Sequence, residues 1–162
     1  MMLLTQAELH SLFEYRDGFL FWKCRQALCI QVGDIAGTKN VDGYWRVMIN
    51  RKQHSIHRII FLMHNGYLPR VVDHIDRNRS NNKIENLREA TPSQNQHNRA
   101  KSKNNTSGYK GVSFNKPYGK WQAAIKVNWK AYNIGYFDTA EAASIAYADA
   151  AKRLHGEFAR AT

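Results

Sequence analysis

The sequence predicts an α+β fold made of short antiparallel strands and a few helices. Turn dipeptides such as Asp17-Gly18 and Asp42-Gly43 separate short apolar runs, which is typical of β-hairpins. Helical periodicity is confined to separate segments, and three strand-like runs followed by one helical pattern occupy the last third of the chain. With 162 residues, 43% of them apolar, the chain can form one ordinary domain or two small ones.

A short helix is predicted near the start of the chain, over residues 5–15. Thr5 and Glu8 have the spacing of a capping box, in which each side chain bonds the backbone N–H of the other residue. Apolar residues then recur at helical spacing. After the Asp-Gly turn, the apolar residues 19–22 are predicted to form a strand.

A hairpin and a second helix are predicted next. Residues 44–49 are predicted to form one strand of the hairpin, and residues 54–56 supply a returning strand. Residues 57–64 have helical periodicity. Asn65-Gly66 follows them and predicts the end of the helix.

Two histidines lie on that second helix, and their role is not fixed by their spacing. His57 and His64 are seven residues apart, whereas two metal ligands on one helix prefer a spacing of four. Structural roles are therefore favoured for both. Contact with a DNA backbone or support of an active site is the alternative.

The stretch from residue 71 to residue 99 combines acidic, histidine and asparagine residues that bind metals or move protons. Asp73-His74 ends a short apolar strand. A polar loop follows, and then a second extended segment over residues 84–90. Residues 91–94, Thr-Pro-Ser-Gln, predict a helix start with Thr as N-cap, Pro at the first position and Gln at the third. The pattern therefore predicts strand, loop, strand and helix.

The net charge of +11 and the pI near 9.8 favour a polyanionic partner, because basic side chains that neutralise phosphates release counterions. The charge is uneven. Residues 99–162 hold 11 basic and 4 acidic residues, against 13 and 9 in residues 1–98. The C-terminal third is therefore the better candidate for phosphate contact.

Cysteine content and hydropathy exclude several protein classes. Cys24 and Cys29 are too few for a disulfide framework or for a zinc site with four paired ligands, so two free thiols in a reducing compartment are expected. The first residues lack the pattern of a signal peptide. No apolar run is long enough to span a membrane.

A basic linker is predicted over residues 99–107, where it carries Lys101 and Lys103. We place a domain boundary at this linker. Residues 1–98 then form the first domain and residues 108–162 the second. The linker suits contact with phosphates as well as a solvated loop.

The second domain is predicted to contain three strands and one helix. The strands cover residues 110–115, 121–127 and 132–137, and the helix begins with Asp138 as N-cap and ends at Gly156. The apolar stripe of this helix consists of Ala143, Ala146, Tyr147, Ala150 and Leu154. A stripe rich in alanine lets a helix lie close against a small sheet, and so small a core predicts modest stability.

Asp73, His74, Asn86 and Asn95 together offer the groups that phosphodiester cleavage needs. A histidine with a pKa near neutrality can act as general base. Carboxylate and amide oxygens suit Mg²⁺ or Mn²⁺, which stabilise a leaving oxygen. A further polar group must hold the base in one orientation.

The same stretch resembles the HNH homing endonucleases of phages and group I introns. The matching segments are Gly43-Tyr44-Trp45-Arg46-Val47, His57-Arg58, Val72-Asp73-His74-Ile75-Asp76, Asn81-Asn82, Ile84-Glu85-Asn86-Leu87-Arg88 and Thr91-Pro92-Ser93-Gln94-Asn95. The resemblance implies a ββα-metal nuclease fold. It also implies that His74 is the general base, that Asn86 orients it, and that Asp73 and Asn95 bind Mg²⁺ or Mn²⁺.

The last metal position departs from the common pattern. Many HNH enzymes have a histidine there, whereas this chain has Asn95. His97 and Asn98 lie on the same predicted helix and are alternative ligands. Asn95 is favoured, because the homing branch tolerates asparagine at this position.

Charged residues of the polar loop are predicted to act outside the chemical step. Asp76 is expected to shape the loop as a turn residue. Arg77 and Arg79, together with Lys83, are expected to contact DNA phosphates. A solvated loop is the alternative for all three.

The C-terminal module resembles the APETALA/ethylene-response-factor DNA-binding domain of plants, which also occurs in phage HNH proteins. The matching segments are Gly108-Tyr109-Lys110-Gly111-Val112, Tyr118-Gly119-Lys120-Trp121-Gln122-Ala123, Ile134-Gly135-Tyr136-Phe137-Asp138-Thr139-Ala140-Glu141-Ala142-Ala143, Ala146-Tyr147 and Gly156. The resemblance implies a three-stranded sheet in the DNA major groove with a helix behind it.

Six residues of this module fall at or near the family's contact positions. They are Lys110, Ser113, Asn115, Tyr118, Lys126 and Asn133. Plant domains carry several arginines where this chain has the first three of these, and lysine or serine reads bases less specifically than arginine. The plant target sequence is therefore not transferred. Trp121 is expected to pack in the core.

These features predict an intracellular, two-part DNA endonuclease of homing type from a phage or mobile intron, acting on double-stranded DNA with a divalent metal. The first alternative is a non-catalytic DNA-binding regulator that keeps a decayed HNH module. The second is a zinc-stabilised binding protein that uses Cys24, Cys29 and histidines. Target sequence, nicking against double-strand cutting, and monomer against dimer stay open.

Overall fold

The computed structural model describes residues 4–25, 29–98 and 104–159. The chain divides into two compact units, Met1–Ala90 (unit 1) and Thr91–Thr162 (unit 2). Each unit combines short antiparallel sheets or hairpins with helices, so the predicted α+β class is confirmed. Within the described residues, no helix has both the length and the apolar character that crossing a membrane requires.

Unit 1 begins with a helix and a hairpin. Helix α1 covers Gln6–Leu12, and both hydrogen bonds of the predicted capping box at Thr5 are present. The prediction that this helix continues to residue 15 is wrong, because the chain turns extended and forms β1 over Phe13–Arg16. Strand β2 covers Phe19–Trp22 and pairs antiparallel with β1. The buried Phe13 ring lies 4.6 Å from its cross-strand neighbour, which holds the hairpin together.

A three-stranded sheet and a helix follow. Strands β3 (Thr38–Lys39), β4 (Trp45–Ile49) and β5 (Lys52–Ser55) are antiparallel in the order β3-β4-β5. The β4–β5 connection is a two-residue turn with positive φ at both positions, which matches the twist of a hairpin. Helix α2 covers Ile56–Asn65 and ends at Gly66, whose φ of 74° provides the predicted left-handed cap.

One apolar core joins these elements of unit 1. Helix α2 supplies much of it, because its buried face contacts α1, β2 and the sheet. The buried residues are Leu9, Phe13, Leu20, Trp22, Ala36, Val47, Ile49, Ile56, Ile59, Ile60, Phe61, Met63, Val72 and Leu87. The last two belong to a hairpin that carries the candidate site, so the site rests directly on this core.

That hairpin is formed by β6 (Val71–His74) and β7 (Leu87–Ala90), paired antiparallel. A polar loop connects the two strands and ends in a 3₁₀ turn at Ile84–Asn86. The predicted strand, loop and strand are therefore present. The segment predicted as extended from residue 84 is helical for its first three residues.

Unit 2 begins with helix α3, which covers Pro92–His97. Thr91 Oγ1 accepts a hydrogen bond from the Gln94 N–H at 3.2 Å, and the Gln94 side chain accepts one from the Thr91 N–H at 2.7 Å. The helix start predicted from the Thr-Pro-Ser-Gln sequence is thus confirmed.

The main sheet of unit 2 has three antiparallel strands in the order β10-β9-β8. Strand β8 covers Val112–Asn115, β9 covers Lys120–Val127 and β10 covers Lys130–Phe137. A 3₁₀ turn at Lys116–Tyr118 connects the first two strands. The pairing of β9 with β10 shifts by one residue between Asn133 and Gly135, which is a β-bulge.

Helix α4 covers Ala140–His155 and packs on all three strands. Its N-cap is Thr139, whose side chain accepts a hydrogen bond from the Ala142 N–H, so the prediction of Asp138 as N-cap is wrong by one residue. Leu154 is 53% exposed and leaves the predicted apolar stripe, whereas the helix ends at Gly156 as predicted.

The core of unit 2 is small. Its buried residues are Val112, Ala123, Ile125, Ala140, Ala143, Tyr147, Ala150 and Ala151. Trp121 is half-buried and packs against this cluster, which confirms its predicted place in the core. Five of the eight buried residues are alanines, so little apolar area is removed from water and a modest stability is expected.

Candidate active site and nucleic-acid interface

Asp73 is held by an arginine on the neighbouring strand. The β6–β7 register places Arg88 opposite Asp73, and its Nε and Nη2 atoms lie 3.2 and 3.1 Å from Asp73 Oδ2. Both side chains are largely buried, at 12% exposure for the arginine and 7% for the aspartate. A buried carboxylate needs such a partner, because removing an unpaired charge from water is costly. The ion pair therefore fixes where this carboxylate lies.

His74 points to the other face of β6, because side chains alternate along a strand. Its Nε2 atom lies 3.0 Å from Asn82 Oδ1, and both residues are buried. The ring centroids of His57 and Tyr44 lie 5.0 and 6.0 Å from that of His74. The imidazole is thus held in one orientation by an amide and two neighbouring rings.

His57 lies at the beginning of α2 and is part of the same buried cluster. Its Nδ1 atom is buried and has no hydrogen-bond partner in the described part of the chain. Burial, followed by the charges of His74, Arg58 and Arg46, lowers the pKa of His57 from 6.5 to about 3. His57 is therefore neutral near pH 7 and does not repel a proton arriving at its neighbour.

The polar loop between β6 and β7 is organised around the Asp76 carboxylate. It accepts hydrogen bonds from the Asn78 N–H at 2.8 Å, from Asn81 Nδ2 at 2.7 Å and from Asn86 Nδ2 at 2.9 Å. Partial burial opposes ionisation, but these hydrogen bonds and nearby His74 outweigh it, so the pKa of Asp76 lies below its ordinary value. Asp76 thus shapes the loop, as predicted.

Asn86 closes this loop with its side chain. Besides its bond to the Asp76 carboxylate, it accepts from the Asp76 N–H at 2.9 Å and donates to the Asn81 carbonyl at 2.8 Å. These bonds set the course of the segment that leads to Asn82. The predicted role of Asn86 in orienting His74 stays a prediction. Asn86 bonds the loop next to Asn82, and the Asn82 side chain is the one that contacts the imidazole of His74.

Asn82 is a site residue to which the sequence reasoning gave no role. It is 2% exposed, and a fully buried asparagine must satisfy its amide inside the protein. The available signal was the Asn81-Asn82 pair, which belongs to the HNH resemblance and lies in a loop where solvent-exposed asparagines would be expected. Burial of the second asparagine is what distinguishes the two.

The loop is anchored to the rest of unit 1 by two of its basic side chains. Arg79 Nη1 donates to the Asp42 carbonyl at 3.0 Å, and its guanidinium lies 5.0 Å above the Tyr44 ring. Lys83 forms an ion pair with Asp17 at 2.6 Å. Arg79 and Lys83 therefore make intramolecular contacts as well as being candidates for phosphate.

Arg77 is exposed on the same loop, with a φ of 67°. Its N–H donates to the His74 carbonyl at 3.0 Å, so its backbone is fixed directly after the histidine. Phosphate contact by Arg77 and Arg79 stays a prediction.

The predicted metal residue Asn95 lies on α3 in unit 2, and its side chain is half-buried. The alternative ligand Asn98 is buried, and the side chain of the other alternative, His97, lies outside the described residues. The pairing of Asp73 with Asn95 stays a prediction from sequence.

The donor chemistry at Asp73 fits a hard divalent cation. A carboxylate oxygen is a preferred ligand of Mg²⁺, which keeps several waters and needs only one or two protein carboxylates. No group of three His, Cys, Asp or Glu side chains suited to a metal occurs among the described residues. A cation at Asp73 would therefore depend on asparagine oxygens, water or substrate phosphate for its other ligands.

Some of the residues predicted to touch DNA share one face of the main sheet in unit 2. Four of the six lie on the face opposite α4; they are Ser113, Asn115, Lys126 and Asn133. Tyr118 lies in the connecting 3₁₀ turn, and its ring stacks 4.8 Å from that of Tyr136. Lys110 precedes β8 and is half-buried. Lys101 and Lys103 lie outside the described residues, and DNA contact by all of these stays a prediction.

Gln122 is a polar residue of this face that was not predicted as a contact. It lies on the central strand, where the register places it opposite Ser113 on one side and Tyr136 on the other. Its position was available from the sequence, since alternation along β9 places residues 122, 124 and 126 on the same side.

Comparison with known proteins places these observations in a family. A family model described as HNH endonuclease matches residues 54–97. Protein 3.8 of Escherichia phage T7 is 38% identical over 98 residues, which cover 59% of this chain and 80% of the phage protein. The uncharacterized HNH endonuclease L560 of Acanthamoeba polyphaga mimivirus is 38% identical over 108 residues, covering 65% of this chain and 55% of the mimivirus protein.

No solved structure matches the chain significantly. The matched segment nevertheless contains the whole hairpin and loop described above, with Asp73, His74, Asn82 and Asn86. The chain belongs to the HNH endonuclease family, with its HNH domain spanning residues 54–97.

Proposed function

We propose that this protein is a site-specific DNA endonuclease of homing type that hydrolyses phosphodiester bonds. The observation that carries the proposal is the buried Asp73-His74 pair, in which each side chain has its own fixed partner, Arg88 and Asn82. Hydrolytic nucleases need a base and a cation ligand side by side in a fixed geometry. Asp73 and His74 are consecutive residues at the end of one strand, and we propose that they supply these two groups.

His74 is the proposed general base, which removes a proton from the attacking water. Its orientation comes from Asn82, and the neutral His57 beside it adds no competing positive charge near pH 7. A histidine held in this way contributes about 10² to 10⁴-fold to a rate by general base catalysis. Asn86 acts one step further away, by closing the loop on which Asn82 lies.

Asp73 and Asn95 are the proposed ligands of Mg²⁺ or Mn²⁺, and nucleases of this family generally depend on a divalent metal. When bound, the cation supplies positive charge to the leaving 3′-oxygen. Arg88 holds the Asp73 carboxylate in place and compensates its charge inside the protein. Arg88 is therefore proposed as a positioning residue for the metal ligand.

Double-stranded DNA is the proposed substrate, and unit 2 is proposed to place it. The chain carries a net charge of +11, and no acidic residue occurs between Glu89 and Asp138, a segment that includes the whole sheet. Such a segment attracts phosphates without local repulsion. The homing type is supported by the resemblance to phage and intron enzymes and by the similarity to two viral proteins.

A plasmid assay with end mapping tests this function. Supercoiled plasmid and phage genomic DNA are incubated with wild-type protein in Mg²⁺ or in EDTA, and the cut ends are mapped. We expect nicks at defined sites in Mg²⁺ and none in EDTA, because one HNH site cuts one strand per visit.

The matched controls are two histidine variants. His74→Ala should abolish the nicks, whereas His10→Ala removes an exposed histidine of α1 and should leave them unchanged. If wild type and His74→Ala are equally inert on every DNA while still binding it, the protein is a DNA-binding regulator with an inactive HNH domain.

A further inference from the structure

Three amide side chains form a continuous hydrogen-bonded row across the outer face of the main sheet in unit 2. Asn115 Nδ2 on β8 donates to Gln122 Oε1 on β9 at 3.3 Å, and Gln122 Nε2 donates to Asn133 Oδ1 on β10 at 3.2 Å. Each strand thus contributes one amide. We call Asn115, Gln122 and Asn133 the amide row.

The β-bulge in β10 is what completes the row. The register pairs Asn133 with Ala124 and Tyr136 with Gln122, so both β10 residues lie on the outer face although they are three positions apart. Without the extra residue, a strand would point them to opposite faces. The bulge therefore brings an amide and an aromatic ring to the same side of the sheet as Gln122.

Among the residues that the structure describes, the row leaves one N–H donor and one acceptor lone pair of the middle amide without a partner. A glutamine amide has two N–H donors and two carbonyl lone pairs. Gln122 spends one N–H on Asn133 and one lone pair on Asn115. Reversal of the whole row, by a 180° rotation of all three amides, leaves the same two groups. One remaining donor beside one remaining acceptor is the pattern that adenine matches in the major groove, through its N7 and N6 atoms.

The surroundings of the row suit a DNA duplex. Small residues, Ala124 and Ser113, flank Gln122 on the outer face, so a base edge can approach closely. Lys126 lies four residues beyond Gln122 on the same strand and is exposed. The acidic residues of unit 2 all follow the sheet in sequence, from Asp138 onward, so the strands themselves carry only positive charge. This charge distribution fits a polyanion on the sheet face.

We propose that the amide row reads an A·T base pair in the major groove, with Gln122 contacting adenine and Asn115 and Asn133 holding its amide in position. The proposal rests on the proposed function, because it assigns a base class to the surface that places DNA for cutting. A sheet that reads adenine through this row prefers A·T pairs, whereas a sheet that reads bases through arginine prefers guanine.

Selection from random-sequence DNA duplexes in EDTA tests this proposal with the full-length protein. Wild type should enrich an A·T pair at one position by about ten-fold or more over other pairs. Gln122→Ala should make that position degenerate while the rest of the selected site is unchanged. Gln122→Glu should change the preference at that position to C, because a carboxylate accepts from the cytosine N4 amino group.

A charge-matched control separates base reading from general repulsion. Ala142→Glu places the same new charge at an exposed position of α4 and should weaken binding without changing the selected base. The proposal is overturned if the Gln122 variants select the wild-type sequence. It is equally overturned if wild type selects no base, or holds single-stranded RNA more tightly than any duplex.

The two proposals fail in different ways. If the protein nicks DNA in Mg²⁺ but selects the same bases with and without Gln122, the nuclease proposal stands and the amide-row proposal fails. If the selected base changes with Gln122→Glu but the protein never nicks DNA, the amide-row proposal stands and the nuclease proposal fails.

Discussion

Unit 1 and unit 2 use their polar residues in opposite ways. Unit 1 buries polar side chains beside its apolar core; they are His57, Asp73, His74, Asn82 and Asn86. In the described part of unit 2 only Asn98 is in this class, and the amide row lies on the outer face of a sheet whose other face carries a small, alanine-rich core. The proposed chemistry of unit 1 and the proposed base recognition by unit 2 thus have different structural requirements.

The difference shows what each task costs in stability. Buried polar groups destabilise a fold unless each has a partner, but a fully bonded network fixes its members in one arrangement. Catalysis needs that fixed arrangement, whereas base recognition needs groups that a duplex can reach. Unit 1 can hold its network because it has a large core, and unit 2 needs no such network.

The largest loss of stability is expected in unit 2, at a glycine whose backbone lies close to a buried tyrosine ring. A Cβ at Gly111 would overlap the ring of the buried Tyr147 and lie 2.8 Å from the Ala124 carbonyl oxygen, at a φ of +72°. Gly111→Ala should therefore destabilise unit 2 by about 4 kcal/mol or more, since a packed core gives little room. Chemical denaturation followed by tryptophan fluorescence measures the loss.

The control for this change is Gly119→Ala. Gly119 also has a positive φ, +64°, but a Cβ there meets nothing within 4 Å among the described residues. It should cost only about 1 kcal/mol, from backbone strain alone. Equal losses for both variants would show that the packing of Tyr147 against the sheet is not what limits unit 2.

A second effect, of about 3 kcal/mol, is expected in unit 1 from Arg88→Met. This change leaves the buried Asp73 carboxylate without its cross-strand guanidinium, and breaking a buried ion pair on one side is strongly destabilising. Urea denaturation measures the stability, and the nicking rate at saturating Mg²⁺ should fall as well.

Arg16→Met is the matched control, because Arg16 and Glu14 form an ion pair at 56% and 49% exposure. Its loss should leave the free energy of unfolding close to the wild-type value, because exposed ion pairs contribute little to stability. If the two arginine variants are equally stable, Asp73 is not buried as described, and the contrast between the units weakens.

The stability of unit 1 should depend on pH through the lowered pKa of His57. Its folded pKa of about 3 is below the unfolded value of 6.5, so the unfolded chain gains a proton first as pH falls. Stability is therefore complete above pH 6.5 and is lost on acidification, by about 2 kcal/mol between pH 6.5 and pH 5. Urea denaturation at the two pH values should show that His57→Gln loses less stability on acidification than wild type. An unchanged pH dependence in this variant would contradict the lowered pKa of His57.

The smallest effect is expected on the salt dependence of DNA binding. Lys126→Gln should reduce the slope of log K against log salt by about 0.9, the value for one phosphate contact. Lys152→Gln makes the same charge change on α4 and should leave the slope unchanged. Binding isotherms at four salt concentrations distinguish the two variants. Equal slopes would contradict the proposal that the sheet face contacts DNA phosphates.

Local sequence patterns predicted the elements well where short-range bonds decide the conformation. The capping box at Thr5, the left-handed cap at Gly66 and the helix start at Thr91 all depend on residues within four positions. The Asp73-His74 pair at a strand end was likewise readable from sequence. Its ion pair with Arg88 follows once the strand register is known.

Contacts between distant segments could not be predicted in the same way. Helix α2 brings His57 beside His74 across seventeen positions, and nothing in the spacing of either histidine indicates it. The burial of Asn82 depends on how the loop folds around Asp76. The end of α1 is a smaller example, because the pairing of Phe13 with Trp22 outweighs the helical spacing of its apolar residues.

The proposed division of labour between the units is tested most directly by measuring cutting and binding on the same DNA. Single-turnover nicking of supercoiled plasmid in Mg²⁺ is compared with equilibrium binding in EDTA for wild type and His74→Ala. We expect His74→Ala to bind DNA within about two-fold of wild type and to nick it at least about a hundred-fold more slowly. Nicking by His74→Ala at a rate close to that of wild type would contradict the assignment of His74 as the general base.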